Sequence, residues 1–173
     1  MKAMGAALLD TDAISPGLVR HALGHFATGV TVVTSRAPNG APCGTTASAV
    51  SSLSLVPPLL LVCLDRSSQT LAAIREHTAF AINVLAEGQE HLSANFARRG
   101  AAAIWEDVGF RASAMGNPHL HGVLAALDCR LERCLDGGDH EIVVGRLAAL
   151  LHSAEDLGPL LHYRGSYASL GAA

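Results

Sequence analysis

Apolar positions change their period along this chain, and each change marks an element. Leu18, Val19, Ala22, Leu23 and Phe26 recur at helical spacing. Ser15-Pro16 precedes them as a hydroxyl cap with proline at the first helical position. Thr28-Gly29 is the expected stop. Residues 30–35 are β-branched and read as a strand. Ala37-Pro38-Asn39-Gly40 reads as a turn, with Asn-Gly a strong hairpin signal. Residues 43–53, rich in Ser and Thr, are the expected return strand, which Pro57-Pro58 breaks. Residues 59–64 are wholly apolar and predict a fully buried strand.

Ser67 is expected to open a short helix carrying Leu71 and Ile74. A strand over 80–85 and a helix over 87–98 follow, with Leu92 and Phe96 on one helix face. Residues 99–122 show weak periodicity and predict a long loop. Strands are expected over 123–134 and 141–150, joined by a turn at Gly137-Gly138, with a last short strand over 157–163. Many strands joined by short turns predict a mainly β fold, a β-barrel with peripheral helices rather than a βαβ series. Residues 1–14 read as a flexible N-terminal leader, and 15–173 as a single domain.

Composition sharpens this picture in three ways. The 173 residues are 50% hydrophobic and 4% aromatic, so the core is built mainly from Leu, Val, Ile and Ala, and a subunit interface has apolar surface to draw on. The net charge is −3, Lys2 is the one lysine, and no basic run exceeds Arg98-Arg99, which excludes a nucleic-acid footprint. The first residues lack a long apolar core and the longest apolar run is 59–64, so neither a secretory signal nor a membrane span is expected. Cys43, Cys63, Cys129 and Cys134 form no C-x-x-C pair, so reduced thiols in a cytoplasmic protein are expected.

Candidate chemistry begins with absences. There is no G-x-G-x-x-G, no P-loop, no G-x-S-x-G elbow and no H-E-x-x-H. The segment GTTASAVSSLS (44–54) holds six hydroxyl side chains in eleven residues. Strand alternation would send Thr46, Ser48 and Val50 to one face, and Thr45, Ala47 and Ala49 to the other. Small residues there suit a flat ligand lying on the backbone, or else an edge strand with a solvated hydroxyl face. Asp65-Arg66-Ser67-Ser68-Gln69-Thr70 opens a helix, which suits an anion or simple capping by Ser67. His140 follows Gly137, Gly138 and Asp139, so backbone can approach a ligand closely and Asp139 can orient the imidazole. The alternative is a turn aspartate beside an incidental histidine. His21/His25 and His119/His121 lack partner carboxylates at ligand spacing and read as solvated surface, with no metal site.

Six segments occur together and in order: FATGVTVVT (26–34), GTTASAVSSLSLVPPLLLVCL (44–64), FAINVL (80–85), ANFA (94–97), GGDHEIVVGRL (137–147) and PLLHYRGSYASL (159–170). Together they resemble the short-chain flavin reductase family, the reductase components of two-component flavin-dependent monooxygenases. The resemblance covers residues 15–170. It implies an FMN-binding split barrel, a Greek-key-like antiparallel barrel, assembled as a homodimer. It implies hydride transfer from nicotinamide C4 of NADH or NADPH to flavin N5 of FMN or FAD. Reduced flavin would then diffuse to a partner monooxygenase.

By position the resemblance puts Thr45, Thr46, Ala47 and Ser48 along the flavin ring, with Ser51 and Ser52 nearby. Asp65, Ser67, Ser68 and Thr70 fall on the phosphate side. Asn83, Phe96, Ala97 and Arg98 fall near the flavin tail. Asp139 and His140 match the Gly-Asp-His segment, with His140 the catalytic-site contact to nicotinamide. Tyr163, Arg164 and Tyr167 match a C-terminal aromatic segment. Relatives often carry a lysine on the phosphate side, and here Arg66, Arg98 or Arg99 would supply that charge. The same barrel could also serve as a flavin store or sensor without turnover, although the Gly-Asp-His segment argues against that.

Overall fold

The computed structural model describes residues 10–98 and 105–170. Helix α1 spans Pro16–Leu23. Strands β1 (Thr28–Gly29), β2 (Thr31–Arg36), β3 (Pro42–Ala47), β4 (Val50–Leu55) and β5 (Pro58–Asp65) follow. Next come α2 (Gln69–His77), β6 (Ala79–Val84) and α3 (Glu90–Phe96). The chain continues through β7 (Phe110–Ala112), β8 (Pro118–Leu120), β9 (Ala125–Gly137), β10 (His140–His152), β11 (Leu161–Tyr163) and β12 (Ser166–Ala168). Most of the expected leader lies outside the described residues; Thr11–Ala13 forms one 3-10 turn.

Seven strands make one antiparallel sheet in the order β3-β2-β6-β9-β10-β5-β4. Its two edges, β3 and β4, are neighbours in sequence. In a flat sheet those edges would stand about 29 Å apart. The three Cα steps from Ala47 to Val50 reach at most about 11 Å. The sheet therefore has to curl until its edges approach at Ser48-Ala49, where the Cys63 N–H bond to Ala49 O, at 3.0 Å, extends the β4–β5 ladder. The expected mainly β barrel is observed, with β1-β11-β12 and β7-β8 as small accessory sheets.

Two apolar clusters explain why β2 and β6 are buried on both faces. Val33, Val62, Leu64, Phe80, Ile82, Cys129 and Val143 pack inside the barrel, and Leu71 and Ile74 of α2 plug it. Val32, Leu85, Leu92, Phe96, Leu120 and Leu160 form a second cluster outside. Val32 and Val33 are successive residues, so strand alternation gives one to each cluster.

Several expectations need correction. Helix α1 ends at Leu23 and leaves Phe26 outside it; no residue of α1 is buried, so its apolar stripe faces outward. The return strand predicted over 43–53 is two strands, broken at Ser48-Ala49 by barrel closure. In β5 only Val62 and Leu64 are buried, because the other face lacks a covering layer in the single chain. The 99–122 loop contains the β7–β8 hairpin, while 99–104 lie outside the described residues. His119 is no surface residue: it is 6% exposed, with Nε2 3.3 Å from Asp128 Oδ2. Asn117 donates to the other Asp128 oxygen at 2.9 Å. Burial of a carboxylate requires such partners.

Candidate functional site

The β9–β10 hairpin turn presents His140. Gly138 sits at φ +81, a conformation that favours glycine, and its N–H donates to Asp136 Oδ1 at 2.8 Å. Asp139 Oδ1 lies 2.7 Å from His140 Nδ1. An ionised carboxylate only accepts, so Nδ1 is the donor and Nε2 is the ring nitrogen left for a ligand. His140 pairs with Asp65 across the β5–β10 ladder. Asp65 Oδ1 accepts from Ser67 N at 2.7 Å and from Ser67 Oγ at 2.6 Å.

The ladder on the other edge of β5, with β4, brings the hydroxyl-rich corner toward this end of the sheet. Ala49 bonds Cys63, two residues from Asp65 on β5. Ser48, Ala49, Ser51 and Ser52 are exposed at that corner. The predicted alternation through Thr46, Ser48 and Val50 fails at the break between β3 and β4. Thr45 is half-buried, and Ala47 is buried with its carbonyl accepting from Thr31 Oγ1 at 2.6 Å.

A second group gathers on α3 around Ser93, a residue the sequence did not single out. Thr46 Oγ1 donates to Ser93 O at 2.7 Å, and Tyr167 Oη donates to Ser93 Oγ at 2.9 Å. Tyr163 and Arg164 are exposed on the β11–β12 hairpin, and Arg164 N–H donates to Gly24 O at 2.8 Å. Ala97 and Arg98 are exposed just after α3; Arg99 lies outside the described residues.

Some candidates sit inside the protein. Asn83 is fully buried, and its amide donates to Val32 O, Thr34 Oγ1 and Pro118 O while accepting from Leu120 N–H. It clamps β8 onto the barrel and presents nothing to a flavin tail. Phe96 is buried edge-on to Trp105, with ring centroids 4.9 Å apart. Thr70 is buried on α2. The α2 cap is Ser68, whose hydroxyl accepts from Leu71 N–H, rather than Ser67. Arg66 points into the turn at 136–141, bonding Gly138 O and pairing with Asp136 and Glu141.

The buried thiols Cys43 and Cys129 are poor nucleophiles. Burial pushes Cys43 up to about 11 and Cys129 up to about 12, and all four cysteines are free. Among the described residues, no group of three or more His, Cys, Asp or Glu could hold a metal, and no helix is long and apolar enough to cross a membrane.

An open corner of small residues and hydroxyls beside a histidine turn, with no acid–base triad, fits a site whose chemistry comes from bound cofactors. The family model of the flavin reductase like domain matches residues 23–171. The chain belongs to the flavin reductase family. It is 39% identical over 166 residues to the flavin-dependent monooxygenase reductase subunit HsaB of Rhodococcus jostii, covering 96% of this chain and 84% of that protein. It is 43% identical over 165 residues to the flavin reductase (NADH) of Kitasatospora aureofaciens, covering 90% and 84%. Among solved flavin reductases, the fold superposes with a TM-score of 0.87 on the Streptomyces globisporus NADH:FAD oxidoreductase SgcE6, in complex with NAD and FAD fragments. That match has 30% identity and covers 96% of this chain and 98% of that one.

Proposed function

We propose that this chain oxidises NADH or NADPH, reduces FMN or FAD, and releases the reduced flavin to a separate monooxygenase. It is an NAD(P)H-dependent flavin reductase. The observation that carries the site assignment is the sheet register, which sets the exposed Ser48-Ala49 corner and His140 at one end of β5. The residues fit a flavin ring at that corner. Ser48, Ser51 and Ser52 offer hydroxyls, Ala49 is small and exposed, and Thr45 lies alongside. A bound flavin supplies the two-electron acceptor, so the chain needs no proton donor of its own. His140 orients nicotinamide through Nε2, because Asp139 holds Nδ1. Tyr167 reaches Ser93 of α3, which also holds Thr46, and Arg98, Tyr163 and Arg164 are exposed after α3 and on the terminal hairpin.

The functional unit is proposed as one domain over 15–173, a homodimer in the cytoplasm. Phe26 is 74% exposed, Leu55 82% and Val56 93%, and α1 adds Leu18, Val19 and Leu23 to this outward apolar surface. Exposed apolar surface of this kind favours a subunit interface. The free thiols suit a reducing compartment.

A steady-state assay crossing FMN and FAD with NADH and NADPH tests the activity. Consumption of a pyridine nucleotide that depends on added flavin is expected. Tight flavin binding without consumption would instead indicate a store or sensor. Ser48→Val is expected to weaken flavin affinity by about 1–2 kcal/mol in a fluorescence titration. Thr46→Val removes the bond to Ser93 O, so about 1 kcal/mol of stability should be lost in a urea melt.

A further inference from the structure

We propose that Arg66 is a positioning residue for pyridine-nucleotide use: it holds the turn that presents His140 and does not bind the flavin phosphate. The proposal rests on the reading of His140 as the nicotinamide contact.

Each of the three guanidinium nitrogens of Arg66, and its backbone N–H, has a partner in the turn. Its backbone N–H donates to Asp139 O at 3.1 Å, and its Nε donates to Gly138 O at 2.7 Å. One terminal nitrogen pairs with Asp136 Oδ1 at 2.9 Å, and the other with Glu141 Oε1 at 3.2 Å. The carbonyls of Gly138 and Asp139, the two residues before His140, are thereby both fixed from the β5–α2 connection. Asp139 in turn fixes the ring through Nδ1. Position thus passes from Arg66 to the turn, from the turn to Asp139, and from Asp139 to the imidazole.

Charge leads to the same conclusion. Glu141 is buried next to His140 and also accepts from Arg75 of α2 through Oε1. A buried carboxylate is stable only when paired. Asp136 is held below the usual carboxylate range, first by the Gly138 N–H and then by Arg66. Its bond to the turn is therefore complete above the ordinary carboxylate value and is lost only as pH falls through the lower folded-state value. The Arg66 charge is balanced within the turn by Asp136 and Glu141. A planar fork can reach these separate acceptors at once, whereas a lysine ammonium on the same stem is a point charge.

The test compares Arg66→Met, Arg66→Lys, His140→Ala and the double variant Arg66→Met/His140→Ala. Readouts are the KM for NADH, flavin affinity by fluorescence titration, and amide hydrogen exchange of the 136–141 segment. Arg66→Met is expected to raise the NADH KM about tenfold, speed exchange across 136–141, and leave flavin affinity within about twofold. Arg66→Lys should show a smaller change in the same direction and reports if the methionine variant does not fold. In the His140→Ala background, Arg66→Met should add less than about twofold, because it acts through the imidazole. An equal loss of flavin affinity overturns the proposal in favour of phosphate binding, and a full tenfold effect on top of His140→Ala overturns positioning through His140. Faster exchange with an unchanged KM overturns the kinetic role alone. If His140→Ala by itself leaves NADH kinetics intact, the underlying reading of His140 is what fails.

Discussion

Replacing His140 with alanine is expected to raise the KM for NADH roughly thirtyfold while flavin affinity stays within about twofold. The figure corresponds to losing about 2 kcal/mol, the scale of a hydrogen bond assisted by a nearby charge. His140 is half-buried at the mouth of β10 and supports no apolar cluster. Asp139, its partner, has a side chain 92% exposed, so removing the imidazole strands no buried carboxylate. The fold should therefore survive, and the melting temperature should be close to that of the parent. Steady-state kinetics at saturating flavin, paired with a flavin titration, separate the two cofactors. Unchanged NADH kinetics would remove His140 from the site. Loss of flavin affinity in step with NADH would instead place it against the flavin.

Gly145→Ala should be the most damaging small substitution in the barrel. A Cβ at that position would lie 2.5 Å from Phe80 Cζ and 2.8 Å from Cys129 Cβ. Phe80 and Cys129 are both fully buried in the barrel interior, and the β9–β10 register shifts at Val144/Gly145. Neither neighbour has open space to retreat into, so the methyl forces a shift of ring or strand. Overpacking of this kind costs about 3 kcal/mol, which in a chain of this size lowers Tm by roughly 6–12 °C. Phe80→Leu added to Gly145→Ala should recover part of the loss by vacating the ring edge. A melt unchanged by Gly145→Ala would show that the interior yields more easily than its packing implies.

Local signals in the sequence located most elements. Ser15 caps α1 with its side chain, and Asn39-Gly40 makes the β2–β3 turn with Gly40 at φ +82. Gly137-Gly138 makes the β9–β10 turn. Each of these choices is governed by the residue's own backbone preference, so single positions are informative. The missed features depend on distant partners. Nothing in Thr-Ala-Ser-Ala-Val marks a strand break, because the break exists only where β3 must meet the far edge of the sheet. Asn83 resembles a site residue in sequence, yet four internal hydrogen bonds, two to β2 and two to β8, commit it inside the protein. His119 looks solvated until Asp128 arrives from β9.

The site divides along the same line. Hydroxyl density over 44–54 and the Gly-Asp-His segment were readable because they are contiguous, and with the ordered segments they pointed to a flavin reductase. The role of Arg66 was not readable, since Asp136, Gly138, Asp139 and Glu141 lie some seventy positions downstream. The sequence by itself determined most of the strands, the hairpin turns at Asn39-Gly40 and Gly137-Gly138, the mainly β class and the family. Tertiary structure alone decided which hydroxyls stay open, which are taken by Ser93, and which cation holds the histidine turn. The physical reason is that backbone preference acts within a few residues, whereas a hydrogen-bond partner is chosen only when barrel closure brings distant strands side by side.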